Sequence, residues 1–509
     1  MNPKIRVRFA PSPTGPLHIG GVRTALFNYL FAKQHGGDFL LRIEDTDQTR
    51  YVPGAENYII ESLQWLGINI DEGVGVGGQH APYRQSERKD LYKKYADVLI
   101  QNGTGYYAFD TPDYLEDIRK KMEADKKTFQ YDSTTRNQFC NSLTLSAQET
   151  QERIDKGDAY VIRLKTPENE VVRFKDLIRG DVEVHTTNID DKVLYKSDGM
   201  PTYHLANVVD DYLMQITHVI RGEEWLPSTP LHVLLYKYLG WENSMPLFSH
   251  LPLLLKPNGN GKLSKRDGDQ MGFPVFPLAW KDPKSGETFS GYRESGYIAE
   301  AVVNMLAFLG WNPGTEQEIF TKEELVKEFS LEKVHKAGAK FDPEKAKWFN
   351  HHYLQLSDNE KVADILKPIL IENNISISDD ILLKIVSCMK ERVNFTKEIF
   401  SLGTFFFAPP QNYDIQVVKK VWKENSPELL TLIKNQLLTA NVFDVAELTD
   451  KVKGYITANA LNMGQIMNGL RLALVGTNTG PDLLKIMEIL GKSETINRID
   501  KALLTISLK

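Results

Sequence analysis

The sequence predicts an α/β protein: a parallel sheet with crossover helices, an inserted α+β segment, and an all-helical C-terminal third. Three observations predict it. Strand-like and helix-like stretches alternate from residue 5 to about 70 and resume near residue 217. Between Arg84 and Ala206 charged helical stretches mix with short alternating strands, and beyond about residue 320 helical periodicity dominates.

Taken in order, Ile5–Ala10 reads as a strand and leads into a Pro/Gly-rich turn. Arg23–Lys33 then carries Leu26, Phe27, Leu30 and Phe31 at helical spacing, and Gly36-Gly37 can end that helix. Phe39–Ile43 is a second apolar strand, and Asn57–Leu66 a helix closed by Gly67. The inserted segment holds a helical stretch at Asp113–Lys127 and strands at Tyr160–Leu164 and Val171–Phe174. Thr217–Ile220 resumes the sheet. The helix Leu231–Leu239 follows it, with Ser228 or Thr229 as cap and Pro230 in its first turn, and stops at Gly240. Asp267–Tyr292 is rich in Gly and Pro and reads as an irregular surface insertion. Asp379–Arg392, Glu428–Leu438 and Pro481–Leu490 read as helices of the C-terminal third.

Composition narrows the class. The chain has 509 residues, about three domains at roughly 100–200 residues each. Hydrophobic residues make up 41% and charged residues 25%, which excludes disordered and collagen-like chains. Lys+Arg number 61 against 67 Asp+Glu, a net charge of −6, so the surface as a whole is not a nucleic-acid coat, although a basic groove on one face is compatible with it. Met1–Arg8 lacks the apolar core of a secretion signal, and no apolar stretch, Leu251–Leu255 included, approaches the roughly 20 residues that span a bilayer. The two cysteines, Cys140 and Cys388, lie too far apart in sequence for a disulfide framework or a paired zinc knuckle. A cytoplasmic protein without a membrane association is expected.

Two loops carry candidate chemistry. Pro11–Gly21 joins the first strand directly to a helix; unpaired N–H groups and the positive dipole end of that helix make an anion site, Gly20 and Gly21 let a phosphate come close, and His18 can donate to it. A plain structural turn fits the same residues. Lys262-Leu263-Ser264-Lys265-Arg266, bracketed by Gly259, Gly261 and Gly268, can close over a polyphosphate and neutralise charge developing in a transition state, an effect for which one donor is typically worth roughly 3–4 kcal/mol. A solvated basic loop is the bland alternative. Gly73–Gly78 matches a dinucleotide fingerprint literally, but Pro82 follows and no helix starts there. Gly261-Lys262 lacks the spacing of a Walker A loop.

Candidate ligands for a polar substrate sit where strands end: Arg8, the Glu44-Asp45-Thr46-Asp47 run and Arg221-Gly222-Glu223-Glu224. Carboxylates suit an ammonium and arginine forks suit a carboxylate; internal ion pairs or caps explain Asp45 and Asp47 equally well. Trp65, Trp225, Trp241, Trp311 and Trp348 read as core rather than as base-stacking platforms.

Together, Arg8–Gly21 and Lys262–Arg266 resemble the two signatures of class I aminoacyl-tRNA synthetases, and more narrowly those of bacterial-type glutamyl-tRNA synthetases. Arg42–Asp47, Tyr83–Arg88, Lys196–Asp211 and Val219–Trp225 match in the same order, and the resemblance runs along essentially the whole chain. It implies a Rossmann-like catalytic domain (1–83 and 207–240), an inserted acceptor-end-binding domain (84–206), a stem-contact domain (241–350) and two helical anticodon-binding subdomains (351–415 and 416–509). It implies that ATP and L-glutamate form glutamyl-adenylate, that Mg2+ accompanies ATP, and that the glutamyl group passes to the 3′-terminal adenosine of tRNA(Glu), with bound tRNA required before activation.

By the same resemblance His18 and Gly20 contact ATP, Lys265 with Lys262 and Ser264 stabilises the leaving pyrophosphate, and Glu224 and Leu255 lie beside the adenosine. Arg8, Ala10, Ser12, Glu44, Tyr203, Asn207 and Arg221 surround the glutamate, with Glu44 on the α-ammonium, Arg8 on the side-chain carboxylate and Arg221 also on a carboxylate. Arg392 aligns with an anticodon-reading position. Tyr106–Asp110 lacks the cysteines that bind zinc in some relatives, so no zinc is expected. Gly469-Leu470-Arg471 stands where relatives often have Pro-Leu-Arg, which leaves the choice between glutamate and glutamine tRNA open. Glutaminyl-tRNA synthetase is the nearest rival, disfavoured by the helical C-terminal third. A non-catalytic RNA-binding relative is disfavoured by intact His18 and Lys265. A monomer is expected.

Overall fold

Four consecutive buried residues form β1 (Arg6–Phe9), around which a computed structural model arranges the rest; it describes residues 4–259 and 261–506, with the backbone alone for Lys265, Arg266 and Asp269. The chain divides into two compact units, one running to Ser295 and including Ala299–Ala346, the other made of Gly296–Ile298 and the residues from Lys347 on. Among the described residues no helix is long and apolar enough to cross a membrane.

In the first unit β1 pairs in parallel with β2 (Asp38–Leu41), and β2 with β3 (Glu72–Gly73). The crossovers are α1 (Ile19–Gln34) and α2 (Ala55–Trp65). α1 begins at Ile19, four residues before the expected start, so Gly20 and Gly21 form its first turn instead of a loop ahead of it. The inserted segment opens with α3 (Lys89–Gln101), β4 (Gly105–Ala108), α4 (Pro112–Ala124) and α5 (Ala147–Asp155). It continues through β5 (Val161–Leu164), the hairpin β6 (Val171–Asp176) and β7 (Gly180–His185), and β8 (Val193–Tyr195). β4, β5 and β8 make their own antiparallel sheet.

The α/β pattern resumes with α6 (Tyr203–Leu213), β9 (His218–Gly222), α7 (Thr229–Tyr238) and β10 (Leu247–Leu251). Here β6 pairs in parallel with β10, giving the order β7-β6-β10-β9, so the hairpin from the inserted segment extends the sheet that the segment interrupts. Thr217 stitches β9 to β1: its N–H donates to the Arg6 carbonyl and its Oγ1 accepts the Arg6 N–H, both at 2.9 Å. The sheet order therefore reverses between β1 and β9, and the carboxyl ends of strands flanking such a switch point form a crevice suited to a ligand.

The Asp267–Tyr292 stretch is not the surface insertion its composition suggests. It starts with α8 (Lys265–Met271), and Phe273, Val275, Phe276, Leu278, Trp280, Phe289 and Tyr292 are buried. The Tyr58 hydroxyl on α2 donates to the Leu278 carbonyl at 2.5 Å and accepts the Leu278 N–H at 3.1 Å, while the Tyr58 and Trp280 rings meet edge to face. Val275 accepts the N–H of Ile19 at the start of α1. A Cβ at Gly291 would lie 2.0 Å from the Leu278 backbone, so this close approach admits only glycine. The Gly and Pro residues mark turns between apolar residues that face inward, a pattern too irregular in period to read as either strand or helix.

The second unit is helical. One core gathers Leu366, Ile385, Val386 and Ile399 from helices 359–372, 379–389 and 396–402. A second gathers Trp422, Ile433, Leu437, Leu470 and Met487. The last helix, Leu483–Thr505, bends at Gly491 (φ 76°) and contributes to both, with Ile486 in the first core and Met487 in the second. Its length exceeds the expected Pro481–Leu490, because glycine takes the left-handed conformation at the bend and helix continues beyond it.

Replacing Tyr58 by Phe leaves the buried Leu278 N–H and carbonyl without their partner, a loss of about 1–3 kcal/mol. Thermal unfolding is expected to fall accordingly, and limited proteolysis to cut first within residues 273–294; an unchanged melting temperature would show that α2 does not hold this segment.

Candidate active site

Two communicating hollows open at the switch point. The first, about 540 Å3, is bounded by Ser12, His18, Gly20 and Gly21 from the loop and start of α1, by Glu224 and Lys262, and by Phe276, Trp280 and Asp282. His18 is the N-cap of α1, and its Nδ1 accepts the Gly20 N–H at 3.1 Å. The ring proton is thereby assigned to Nε2, which is buried and has no partner among the described residues. Burial first, and the nearby Lys262 charge second, push the His18 pKa down to about 4, so the ring is a neutral donor near pH 7.

The anion site differs from the sequence expectation in one respect. The first N–H groups of α1 are not unpaired: Ile19 donates to Val275, Gly20 to His18 Nδ1, and Gly21 and Val22 to the His18 carbonyl. The buried segment after α8 supplies the first of these partners, which no local signal announces. What remains for an anion is the helix dipole, the His18 Nε2–H and Lys262. Lys262 Nζ donates to Glu224 at 3.0 Å, but both side chains are exposed, and such a surface pair is weak enough to yield to a phosphate.

The second hollow, about 410 Å3, joins the first along Ser12, Leu17, Gly20 and Glu224 and is walled by Arg8, Ala10, Glu44, Tyr203, Asn207, Arg221 and Trp225. Behind it lies a buried charge cluster. Arg8 forks onto Asp211 through Nε at 2.9 Å and Nη2 at 3.1 Å. Arg42, fully buried, donates to Asp211 at 2.7 Å and to Glu44 Oε1 at 3.0 Å, and Asn207 donates to the same Glu44 oxygen. Asp210 accepts from Arg88, Gln85 and Tyr92 within 2.8 Å. The two arginines beside Asp211 hold its carboxyl below the usual carboxylate range against the opposing effect of burial.

Arg221 is the exception. Its Nη1 donates to the Tyr203 hydroxyl at 2.7 Å, its Nη2 to Thr229 Oγ1 at 2.8 Å and its Nε to His250 Nε2 at 3.1 Å; no carboxylate touches it among the described residues. Burial lowers its pKa, yet a guanidinium stays protonated at any physiological pH. The arrangement can hold a zwitterion: a carboxylate against Arg221, and an ammonium against Glu44, whose protein bonds both fall on Oε1 and leave Oε2 available.

Several expected residues stand apart. Asp45 caps Ser86 and Asp47 caps the turn Gln48–Arg50, the structural roles weighed for them. Leu255 walls neither hollow; it is in β11 (Leu254–Leu255), paired with Ala339–Lys340. Ser264 caps α8, its hydroxyl donating to Asp267. Lys265 begins α8, but its side chain lies outside the described residues. In the helical unit Arg392 ends the turn Lys390–Arg392 and is exposed. Trp225 is not core: it is 42% exposed and faces the Tyr203 ring at 4.6 Å.

Sequence reasoning gave no roles to Arg42, Arg88, Asp210 and Asp211. The signal was the acidic pair directly after Val208-Val209 in α6, where Leu205 to Asp211 are all buried and a carboxylate must meet a cation.

These features meet in comparisons with known proteins. Residues 4–348 match the model described as "tRNA synthetases class I (E and Q), catalytic domain", and residues 361–503 match one for an anticodon binding domain. The chain is 58% identical to a glutamate–tRNA ligase of Christiangramia forsetii, over 99% of this chain and all of that one, and 57% identical to one of Porphyromonas gingivalis over 99% of both. Among solved structures, the glutamate tRNA ligase of Elizabethkingia meningosepticum, in complex with its amino acid, aligns with a TM-score of 0.96 at 51% identity over 99% of this chain and all of that one. The fold is that of a class I aminoacyl-tRNA synthetase. Within that class the chain belongs to the family that serves glutamate and glutamine.

Two expectations follow. Asp211→Asn removes the anion shared by Arg8 and Arg42; breaking a buried pair of this kind costs about 3–5 kcal/mol, readable as a lower urea midpoint, and a loss below about 1 kcal/mol would contradict the cluster's role. In the unfolded chain His18 titrates near its ordinary value of 6.5, but in the folded chain only near 4. The unfolded state therefore binds more protons between these values, and stability falls as pH drops from about 6.5 toward 4, by up to about 1.4 kcal/mol per pH unit for this group. His18→Asn is expected to lower the measured slope of unfolding free energy against pH by about one proton.

Proposed function

We propose that this enzyme, a glutamate–tRNA ligase, activates L-glutamate with ATP as glutamyl-adenylate and passes the glutamyl group to the 3′-terminal adenosine of tRNA(Glu). The observation that carries the reading is the pair of communicating hollows, one with the His18 Nε2 donor and Lys262, the other with Arg221, which has no acid partner among the described residues. ATP lies along the first hollow with its phosphates toward His18 and Gly20 and its adenosine toward Glu224 and, beyond the wall of the hollow, Leu255. Lys265, with Lys262 and Ser264, neutralises the charge gathering on the departing pyrophosphate; for Ser264 this means giving up its bond to Asp267. Mg2+ brought in with ATP would supply charge neutralisation to its phosphates. Glu224 and Asp282 on the walls of the hollow are the carboxylates nearest to hand, and magnesium held by a nucleotide needs few protein ligands.

Glutamate lies in the second hollow, its ammonium on Glu44 Oε2 and its side-chain carboxylate between Arg221, Tyr203 and Arg8, whose Nη1 is not used by Asp211. Ala10, Ser12 and Asn207 complete the walls. Glutamine is rejected because a neutral amide leaves the Arg221 charge buried and unmatched, and polar mismatches of this kind discriminate by powers of ten. The tRNA acceptor end is assigned to the 84–206 segment, its stem to 241–350, and its anticodon to the helices of 351–415 and 416–509, with Arg392 among the reading residues. The protein acts as a cytoplasmic monomer in this reading, where ATP and tRNA are found.

The test is ATP–pyrophosphate exchange with and without tRNA, followed by charging of separately purified glutamate and glutamine tRNAs. Glutamate-dependent exchange that appears only with tRNA present, and charging of the glutamate tRNA, are expected. Exchange with glutamine but not glutamate would overturn the substrate assignment.

A further inference from the structure

Arg221 is anchored from behind by a buried relay that starts in the inserted segment. Asp176, at the end of β6, places Oδ2 2.6 Å from His250 Nδ1, and both residues are inaccessible to solvent. His250, on β10, accepts the Arg221 Nε–H at Nε2, and the Thr229 hydroxyl lies 3.2 Å from the same nitrogen. An imidazole that accepts at Nε2 carries its proton on Nδ1, the atom facing Asp176, so the carboxylate selects the tautomer.

We propose that His250 is a positioning residue for glutamate recognition: Asp176 fixes its proton on Nδ1, and its Nε2 lone pair aims the Arg221 guanidinium at the substrate carboxylate without neutralising it. This rests on Arg221 as the carboxylate anchor. A carboxylate in place of His250 would hold Arg221 equally firmly but would spend its charge, as Asp211 spends much of that of Arg8 and Arg42. The imidazole keeps the anion one ring away. Burial lowers the His250 pKa and the His250 bond lowers that of Asp176, which agrees with a neutral ring on an ionised acid.

Asp176→Asn probes the tautomer directly. Asp176 Oδ1 accepts the N–H groups of Ile178 and Arg179, so an asparagine keeps its oxygen there and turns its NH2 toward His250 Nδ1. The ring proton must then move to Nε2, where it opposes the Arg221 Nε–H.

Aminoacylation by the full-length enzyme should be measured for wild type, His250→Gln, His250→Met, Asp176→Asn and Arg221→Ala, with KM taken separately for glutamate and ATP. His250→Met and Asp176→Asn are expected to raise KM for glutamate tenfold or more with KM for ATP within twofold of wild type, whereas His250→Gln, which keeps an acceptor for Arg221 and a donor for Asp176, stays within threefold. An unchanged glutamate KM in His250→Met, a His250→Gln as impaired as His250→Met, or parallel rises for glutamate and ATP would each overturn the proposal. A rise in Arg221→Ala without one in His250→Met would refute the relay and keep Arg221 as anchor; no rise in Arg221→Ala would remove the anchor and the relay with it. Because Asp176 also caps its own turn, the His250 series decides the matter if Asp176→Asn does not fold.

Discussion

A buried guanidinium without a carboxylate against it is expensive, and the wall of the second hollow is built around keeping one. Arg8, Arg42 and Arg88 each meet Asp211, Glu44 or Asp210, while among the described residues Arg221 meets only a phenol, two hydroxyl or carbonyl oxygens and an imidazole. Burying a charge with hydrogen bonds but no counter-ion leaves a deficit that a ligand carboxylate can fill. Binding energy and selectivity against a neutral amide then share one physical source.

The cluster depends on chain segments that are remote in sequence. Arg8 lies at the end of β1, Arg42 and Glu44 follow β2, Arg88 precedes α3, and Asp210 and Asp211 end α6. The reversal of strand order between β1 and β9 brings them to one place, with Thr217 joining the two halves. The inserted segment is tied into this arrangement in two ways. Its hairpin extends the sheet next to β10, and its Asp176 meets His250. The segment after α8 closes the other side, with Val275 on the first N–H of α1 and Trp280 against Tyr58.

The alternation of strands and helices was legible because burial leaves a period in the sequence. The elements that contain Val7, Phe39, Leu63 and Leu234 fall where that pattern puts them, with ends shifted by a few residues. Segment 273–292 was not legible. Its turns carry Gly and Pro while its apolar residues face several different neighbours, so no single period survives. Trp225 was misplaced for a related reason: a large ring reads as core wherever it stands, and only the neighbouring Tyr203 shows that it walls a cavity.

By itself the sequence determined the two motif loops, the residue types available to phosphate and to a zwitterion, and through resemblance the family. Those features are local, carried by contiguous residues whose spacing survives in one dimension. Tertiary structure alone decided which arginine keeps its charge for a ligand, which helix N–H groups are already spent, and which way the His18 and His250 protons point. Each is a question of partners, and the decisive partners lie far along the chain: 29 residues separate Arg221 from His250, 74 separate His250 from Asp176, and 203 separate Arg8 from Asp211. Hydrogen bonds and buried charges are settled by distances of about 3 Å in space, and at such separations nothing in the order of residues encodes them.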